Sequence, residues 1–117
     1  MKINKGKQEN KMGIDNLEVE TKEKNDKELN ITREELALAI TEYIEENNIN
    51  IPALLILYPP YADESLISED AIFAVNQMRN TGIMQARHEN YFEPQAKITI
   101  DELFEILRRL NEKIKND

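Results

Sequence analysis

Apolar positions recur at helical spacing in three stretches of the chain. In the first, Leu36, Ile40, Tyr43 and Ile44 fall at i, i+4, i+7 and i+8, with Glu34, Glu42, Glu45 and Glu46 facing away. Thr32 and Glu35 precede it at the Thr-x-x-Glu spacing of a capping box, and Asn47-Asn48 offers a residue type that tolerates the left-handed helix end. In the second, Ala71, Val75 and Met78 share a face that Ile72 and Phe73 widen. Ser68 is its expected N-cap, Glu69 and Asp70 complement the helix dipole, and Gly82 supplies the stop. The third is the strongest pattern: Leu103, Ile106, Leu107, Leu110 and Ile114 line one face after Thr99 and Glu102, which repeat the Thr-x-x-Glu spacing. Asp101 and Glu102 lie at its start, and Arg108, Arg109, Lys113 and Lys115 lie toward its end, as the dipole favours.

The segments between these helices read as structured loops. Ile51 to Tyr61 is nearly all apolar, and Ala53 to Tyr58 is too short for its periodicity to separate helix from strand. Pro52 suits the first position of a short helical turn, and Pro59-Pro60 ends either structure. The expectation is a buried connector with a short helix. Ile83 to Lys97 reads as a loop anchored by Ile83-Met84 and Tyr91-Phe92, with Asn90 at a positive-φ turn position. Met78 and Met84 belong with the core. The expected fold class is therefore all-α, a small domain of three main helices, a short connector helix and structured loops.

Residues 1–30 break this pattern. Their apolar residues are few and scattered, and seven Lys balance seven acids. Such a stretch buries too little to offset its ordering entropy, so it reads as a disordered charged arm, with nascent helix around residues 14–28. The domain is then residues 31–117.

Composition narrows the chemistry. The chain has 117 residues, enough for one domain. Its 23 acids outnumber 15 bases for a formal charge of −8, all of it arising in residues 31–117. That argues against nucleic-acid binding, which needs clustered Lys and Arg. With no Cys and one His, thiolate chemistry, disulfides and multi-His metal sites are excluded. No metal site or cofactor is expected. The carboxylate pairs Glu69-Asp70 and Asp101-Glu102 sit in helical first turns, where acids serve the dipole, and His88 reads as an exposed loop residue. No enzyme is expected. No apolar stretch follows Met1-Lys2, and the Ile51–Tyr61 run is too short and Pro-broken to span a bilayer. A cytoplasmic location is expected as the sequence stands.

Two segments align with each other. Ile31-Thr32-Arg33-Glu34-Glu35-Leu36 and Ile98-Thr99-Ile100-Asp101-Glu102-Leu103 each open a helix, 67 residues apart. Ahead of the second copy stand Tyr61-Ala62-Asp63, Ala74-Val75, Gly82-Ile83-Met84 and Phe92-Glu93-Pro94. In this order and spacing the series resembles the S-layer homology (SLH) domain, whose repeat runs from an aromatic-x-Asp through Gly-Ile-Ile and Phe-x-Pro to Ile-Thr-Arg-x-Glu. Residues 61–117 are similar to one full repeat, and residues 31–50 to the closing helix of the repeat before it.

The resemblance implies a non-catalytic module that attaches noncovalently to secondary cell-wall polysaccharide on a Gram-positive surface. It implies polymer-binding roles for Arg33, whose fork suits a ketal-linked carboxylate, and for Asp63 and Asn90. For Asp63 the alternative is a local Asx cap, and for Arg33 an exposed first-turn arginine paired with a nearby acid. The second Arg position is Ile100, the family's Trp position is Asp70, and its first turn Gly is Ala86. A cell-surface location follows if that function holds, and a homo-oligomer would complete the family's threefold arrangement. The alternative function is an intracellular helical protein-interaction module that keeps the SLH scaffold without sugar binding. Its partner surface would be Ile51–Tyr61, if that run is exposed.

Overall fold

The computed structural model describes residues 25–115. Residues 1–24, which hold most of the expected arm, lie outside the described residues. Three α-helices and one strand pair make up the regular structure among those described. Strand β1 spans Glu28–Thr32, helix α1 Arg33–Glu46, helix α2 Ile72–Thr81, strand β2 Lys97–Thr99 and helix α3 Ile100–Lys115. Helices α1 and α2 pack on one another.

The expectation of an all-α domain is overturned by the sheet. Strands β1 and β2 pair antiparallel, with Glu28 opposite Thr99 and Thr32 opposite Lys97, and a register irregularity between. Residues 28–30, read from sequence as the end of the arm, are thus part of a strand. Each strand runs directly into a helix, and the helices' first amides donate across the pair. Arg33 N and Glu34 N bond Ala96 O and Pro94 O at 2.9 and 3.0 Å, while Ile100 N and Asp101 N bond Lys27 O and Asn25 O at 3.0 and 3.3 Å. These are donors that a helix start leaves unsatisfied. The two copies of the internal repeat therefore lie side by side, and the segment ahead of each caps the other's helix.

The helix ends follow the expected local chemistry. At α1 the Thr32 hydroxyl accepts from Glu35 N at 3.2 Å, and Glu35 Oε1 accepts from Thr32 N at 2.9 Å, which completes the capping box. At α3 the Thr99 hydroxyl accepts from Glu102 N, but the Glu102 carboxylate is engaged elsewhere. Asn48 closes α1 at φ 53°, and Gly82 closes α2 at φ 79°. Ile49 N reaches Ile44 O, and Ile83 N reaches Met78 O, the wide closing bond of a Schellman turn at each end. At the start of α2 the expectation is only partly met. A 3₁₀ turn, Glu69–Ala71, precedes the helix, and the Ser68 side chain makes no cap.

The core gathers Ala37 and Ile40 of α1, Ala74, Val75 and Met78 of α2, Ile106 of α3, and the loop and strand residues Ile83, Met84, Phe92 and Ile98. The connector does not join it beyond its ends. Residues 52–60 form no helix or strand, which removes the expected connector helix. Ile51 and Tyr61 are buried, but Leu55 and Leu57 are fully exposed and Ile56 is half exposed. Prolines at 52, 59 and 60 deny the segment backbone donors and hold its neighbours extended. Leu54 N bonds Asn80 O at 2.6 Å and ties the segment to the end of α2.

The two C-terminal caps predict opposite responses. A Cβ on Gly82 would stand 3.2 Å from Leu54 Cδ1 and 3.3 Å from Lys113 Nζ at a left-handed φ. Gly82→Ala should cost about 1 kcal/mol or more in urea unfolding, whereas Asn48→Gly should be neutral or slightly stabilising. Equal loss for both would show that φ at these caps does not set their stability.

Candidate functional site

Arg33 opens α1 where the strand pair delivers it to the loop before β2. Its side chain is only 3% exposed. Its Nε donates to Phe92 O at 2.7 Å and its Nη2 to Gln85 O at 2.6 Å, while Nη1 pairs with Glu102 Oε2. The guanidinium also lies 4.5 Å from the centroid of the Phe92 ring. Burial first, and then the neighbouring Arg87, lower its pKa to about 10, so it remains a cation at neutral pH.

Glu102 divides its carboxylate between two arginines. Oε2 faces Arg33, and Oε1 accepts from Arg87 Nη2 at 2.8 Å. Arg87 Nη1 continues to Glu93 Oε1 at 3.3 Å, and His88 Nδ1 lies 2.8 Å from Glu93 Oε2. Charge alternates from Arg33 through Glu102 and Arg87 to Glu93, and the row runs from a buried end at Arg33 to an exposed end at His88. His88 also stacks on Tyr91, with centroids 5.4 Å apart.

Asp63 holds the other side of the same loop. Its Oδ1 accepts from Phe92 N at 3.0 Å and its Oδ2 from Glu93 N at 2.8 Å, and the residue is buried. Glu93 adopts φ 61°, a conformation unusual for a residue with a side chain, and the carboxylate fixes it there. The Tyr61 ring packs against the Phe92 ring with centroids 5.4 Å apart. Tyr61-Ala62-Asp63 therefore clamps Phe92-Glu93-Pro94, and Arg33 takes the Phe92 carbonyl from the opposite direction.

Asn90 is tied in the same way. Its Oδ1 accepts from Arg79 Nη2 at 2.9 Å, and its Nδ2 donates to Pro60 O at 2.8 Å. Arg79 in turn donates to Pro59 O at 2.6 Å and stacks on Tyr61 at 3.5 Å and on Tyr58 at 4.6 Å. Burial raises the Tyr61 pKa, with the Arg79 cation opposing it. The positive φ expected at Asn90 falls instead on Glu89, at 49°. Ala62 N bonds Asn90 O and holds that peptide in place.

The three residues expected to bind polymer are thus brought to one loop, where their polar groups are engaged in holding it. They do not share an open cleft. Arg33 borders a cleft of about 200 Å³ with Gln85, Ala86, Arg87, Glu105 and Arg109. Asn90 borders another, of about 360 Å³, with Tyr58, Arg79 and Glu89, across the Gln85-Ala86 turn. Asp63 lines neither.

Pattern reading missed several members of this frame. Glu34, expected to face away, is buried; its Oε1 accepts from Ser68 N at 2.9 Å, and its Oε2 is bonded by the Ser68 hydroxyl and by Gln95 Nε2. Arg79 and Arg87 carried no pattern that marked them. The signal for Glu34 was its position beside Arg33, one residue into a helix whose start the sheet covers.

Among the described residues no group of three or more His, Cys, Asp or Glu side chains is placed to hold a metal ion. No described helix is long and apolar enough to cross a membrane. Comparison of the chain with family models, with curated proteins and with solved structures finds no match.

Substitutions at Arg33 test whether it supports the fold or a ligand. Arg33→Met strips the donor from the buried Phe92 carbonyl and one cation from Glu102 and should cost about 3 kcal/mol in urea unfolding, with Arg33→Lys recovering only part. Asp63→Ala, which strands two backbone N–H groups, should cost about 2 kcal/mol. Near-wild-type stability for Arg33→Met would free Arg33 for a binding role.

Proposed function

We propose that this chain is a non-catalytic binding module that engages a protein partner through the connector between α1 and α2, on an SLH-like scaffold. The observation that carries the reading is the full exposure of Leu55 and Leu57, with Ile56 half exposed between them. Single exposed leucines are ordinary; three consecutive exposed aliphatic side chains form a patch of the kind that marks contact sites. Burying each fully exposed leucine is worth about 2 kcal/mol. The prolines on either side and the bond from Leu54 N to Asn80 O restrict the segment before it binds, which lowers its ordering cost. A partner that suits it presents an apolar groove.

The family reading, attachment to an anionic wall polymer, keeps one observation in its favour. Arg87 and Arg109 border the cleft beside Gln85 and Ala86, and both are partly exposed. Arg33, which the resemblance singles out, has its donors committed within the fold, so any such site rests on the other two arginines.

Two experiments separate these readings. A photo-reactive leucine analogue at position 57 should give a discrete protein adduct in a lysate of the source cells. The same analogue at position 42 should not. Absence of any adduct particular to position 57 sinks the connector reading. Co-sedimentation with pyruvylated wall sacculi at tens of micromolar should leave the chain in the supernatant. Pelleting that Arg109→Ala abolishes, with the fold intact, would establish the polymer reading instead.

A further inference from the structure

A second apolar feature lies between α1 and α3. Ile40 and Tyr43 of α1 and Leu107, Leu110 and Ile114 of α3 line an open groove of about 380 Å³. No charged residue lines it. Tyr43 and Leu107 are each nearly half exposed there. In a chain with 38 ionisable acids and bases among 117 residues, 23 acids plus 15 bases, an uncharged groove is notable for what it admits. The connector is the matching piece. Residues 47–62 contain no charged side chain, and within them Leu55 and Leu57 both stand clear of the rest of the fold.

Within one chain the two features do not meet. Leu55 and Leu57 are fully exposed, so they touch no groove of their own molecule. They are nevertheless close to one end of it. Leu54, at the base of the segment, and Lys113, beside groove residue Ile114, both border Gly82. A segment that sits beside its own groove without entering it is placed to enter the groove of a second copy, while that copy's segment returns the contact.

Resting on the connector reading above, we propose that the partner is a second copy of this chain. The connector of each copy lies in the α1/α3 groove of the other, in a closed two-fold dimer. The area argument favours the reciprocal arrangement. Two leucines and half an isoleucine bury on the order of 100 Å² each, so a single insertion falls well below the ~800 Å² per partner of a stable interface. Two insertions and the surfaces between them come closer to it. The charge argument points the same way. A net charge of −8 on each copy opposes their approach, and contact is favourable where neither surface carries a charge to desolvate. Closure also protects against open, head-to-tail growth, which a one-way insertion would permit.

Sedimentation equilibrium of the purified full chain, from micromolar to near-millimolar concentration, tests this. Wild type should be a dimer in a concentration-dependent equilibrium with monomer. The double variant Leu55→Asp/Leu57→Asp, whose changes fall on exposed side chains, should weaken association about 30-fold or more, as should Leu107→Asp in the groove. An equimolar mixture of the two variants should regain dimers of intermediate affinity, since one intact connector then meets one intact groove. An unfolded variant would not restore them. A wild-type monomer at every concentration overturns the second copy as partner, yet leaves the connector reading to its own cross-linking test. A dimer indifferent to either variant, or a mixture that fails to reassociate, overturns the exchange.

Discussion

The Arg33 guanidinium is the joint on which the other elements close. It is fixed at the start of α1 by a capping box and by amides bonded across to the segment before β2. From there it reaches the Gln85 turn, the Phe92 carbonyl and Glu102 in the first turn of α3. A buried cation is stable only if its donors are met, and here each of its three nitrogens has a partner. Phe92 is then held twice, its carbonyl by Arg33 and its amide by Asp63, so the loop has little freedom between the two clamps. This arrangement gives the recurring sequence motifs a structural role. Thr-Arg-x-Glu, aromatic-x-Asp and Phe-x-Pro each contribute a part of one hydrogen-bonded frame, and the frame suffices to explain why the three occur together.

How much of this was legible depended on range. Helix limits were readable because their causes are local: Thr32 with Glu35, Asn48 at positive φ and Gly82 at positive φ act within a few residues of their helices. The strand pair was not. Strand β2 has three residues, too few for a period-two pattern, and its partner, Glu28–Thr32, begins in what composition marked as an arm. Both strands had been noticed only as the leading Ile-Thr of the internal repeat. Nothing in one dimension says that two similar segments will pair with each other.

The same limit applies to the site. Pattern reading treats a first-turn Arg or Glu as exposed, because most are. Arg33 and Glu34 are buried because β1, paired to β2, turns the start of α1 inward, which is a tertiary consequence. Asn90 shows a competition between local preference and a distant clamp. Asn favours positive φ, but its side chain is held between Pro60 and Arg79, and the neighbouring Glu89 takes that conformation instead. For the connector the error ran the other way. An apolar run in a small domain is expected to be buried, but the prolines deprive it of the backbone pairing that a buried segment requires.

Exposure of this segment sets a constraint on the whole chain. An exposed apolar segment is an aggregation risk unless its backbone is unable to template a sheet, and prolines at 52, 59 and 60 supply that protection at its ends. The acidic remainder of the chain supplies a second, since like charges keep copies apart except where a charge-free surface meets another. Both devices leave the side chains of Leu55 and Leu57 available while limiting how they are contacted. A segment with no binding role would be simpler to bury or to make polar. The segment is apolar and exposed between its ties, Leu54 bonded to the end of α2 and Pro59 and Pro60 bonded by Arg79 and Asn90, so the loop that Asp63 and Arg33 hold also fixes where the segment starts and ends.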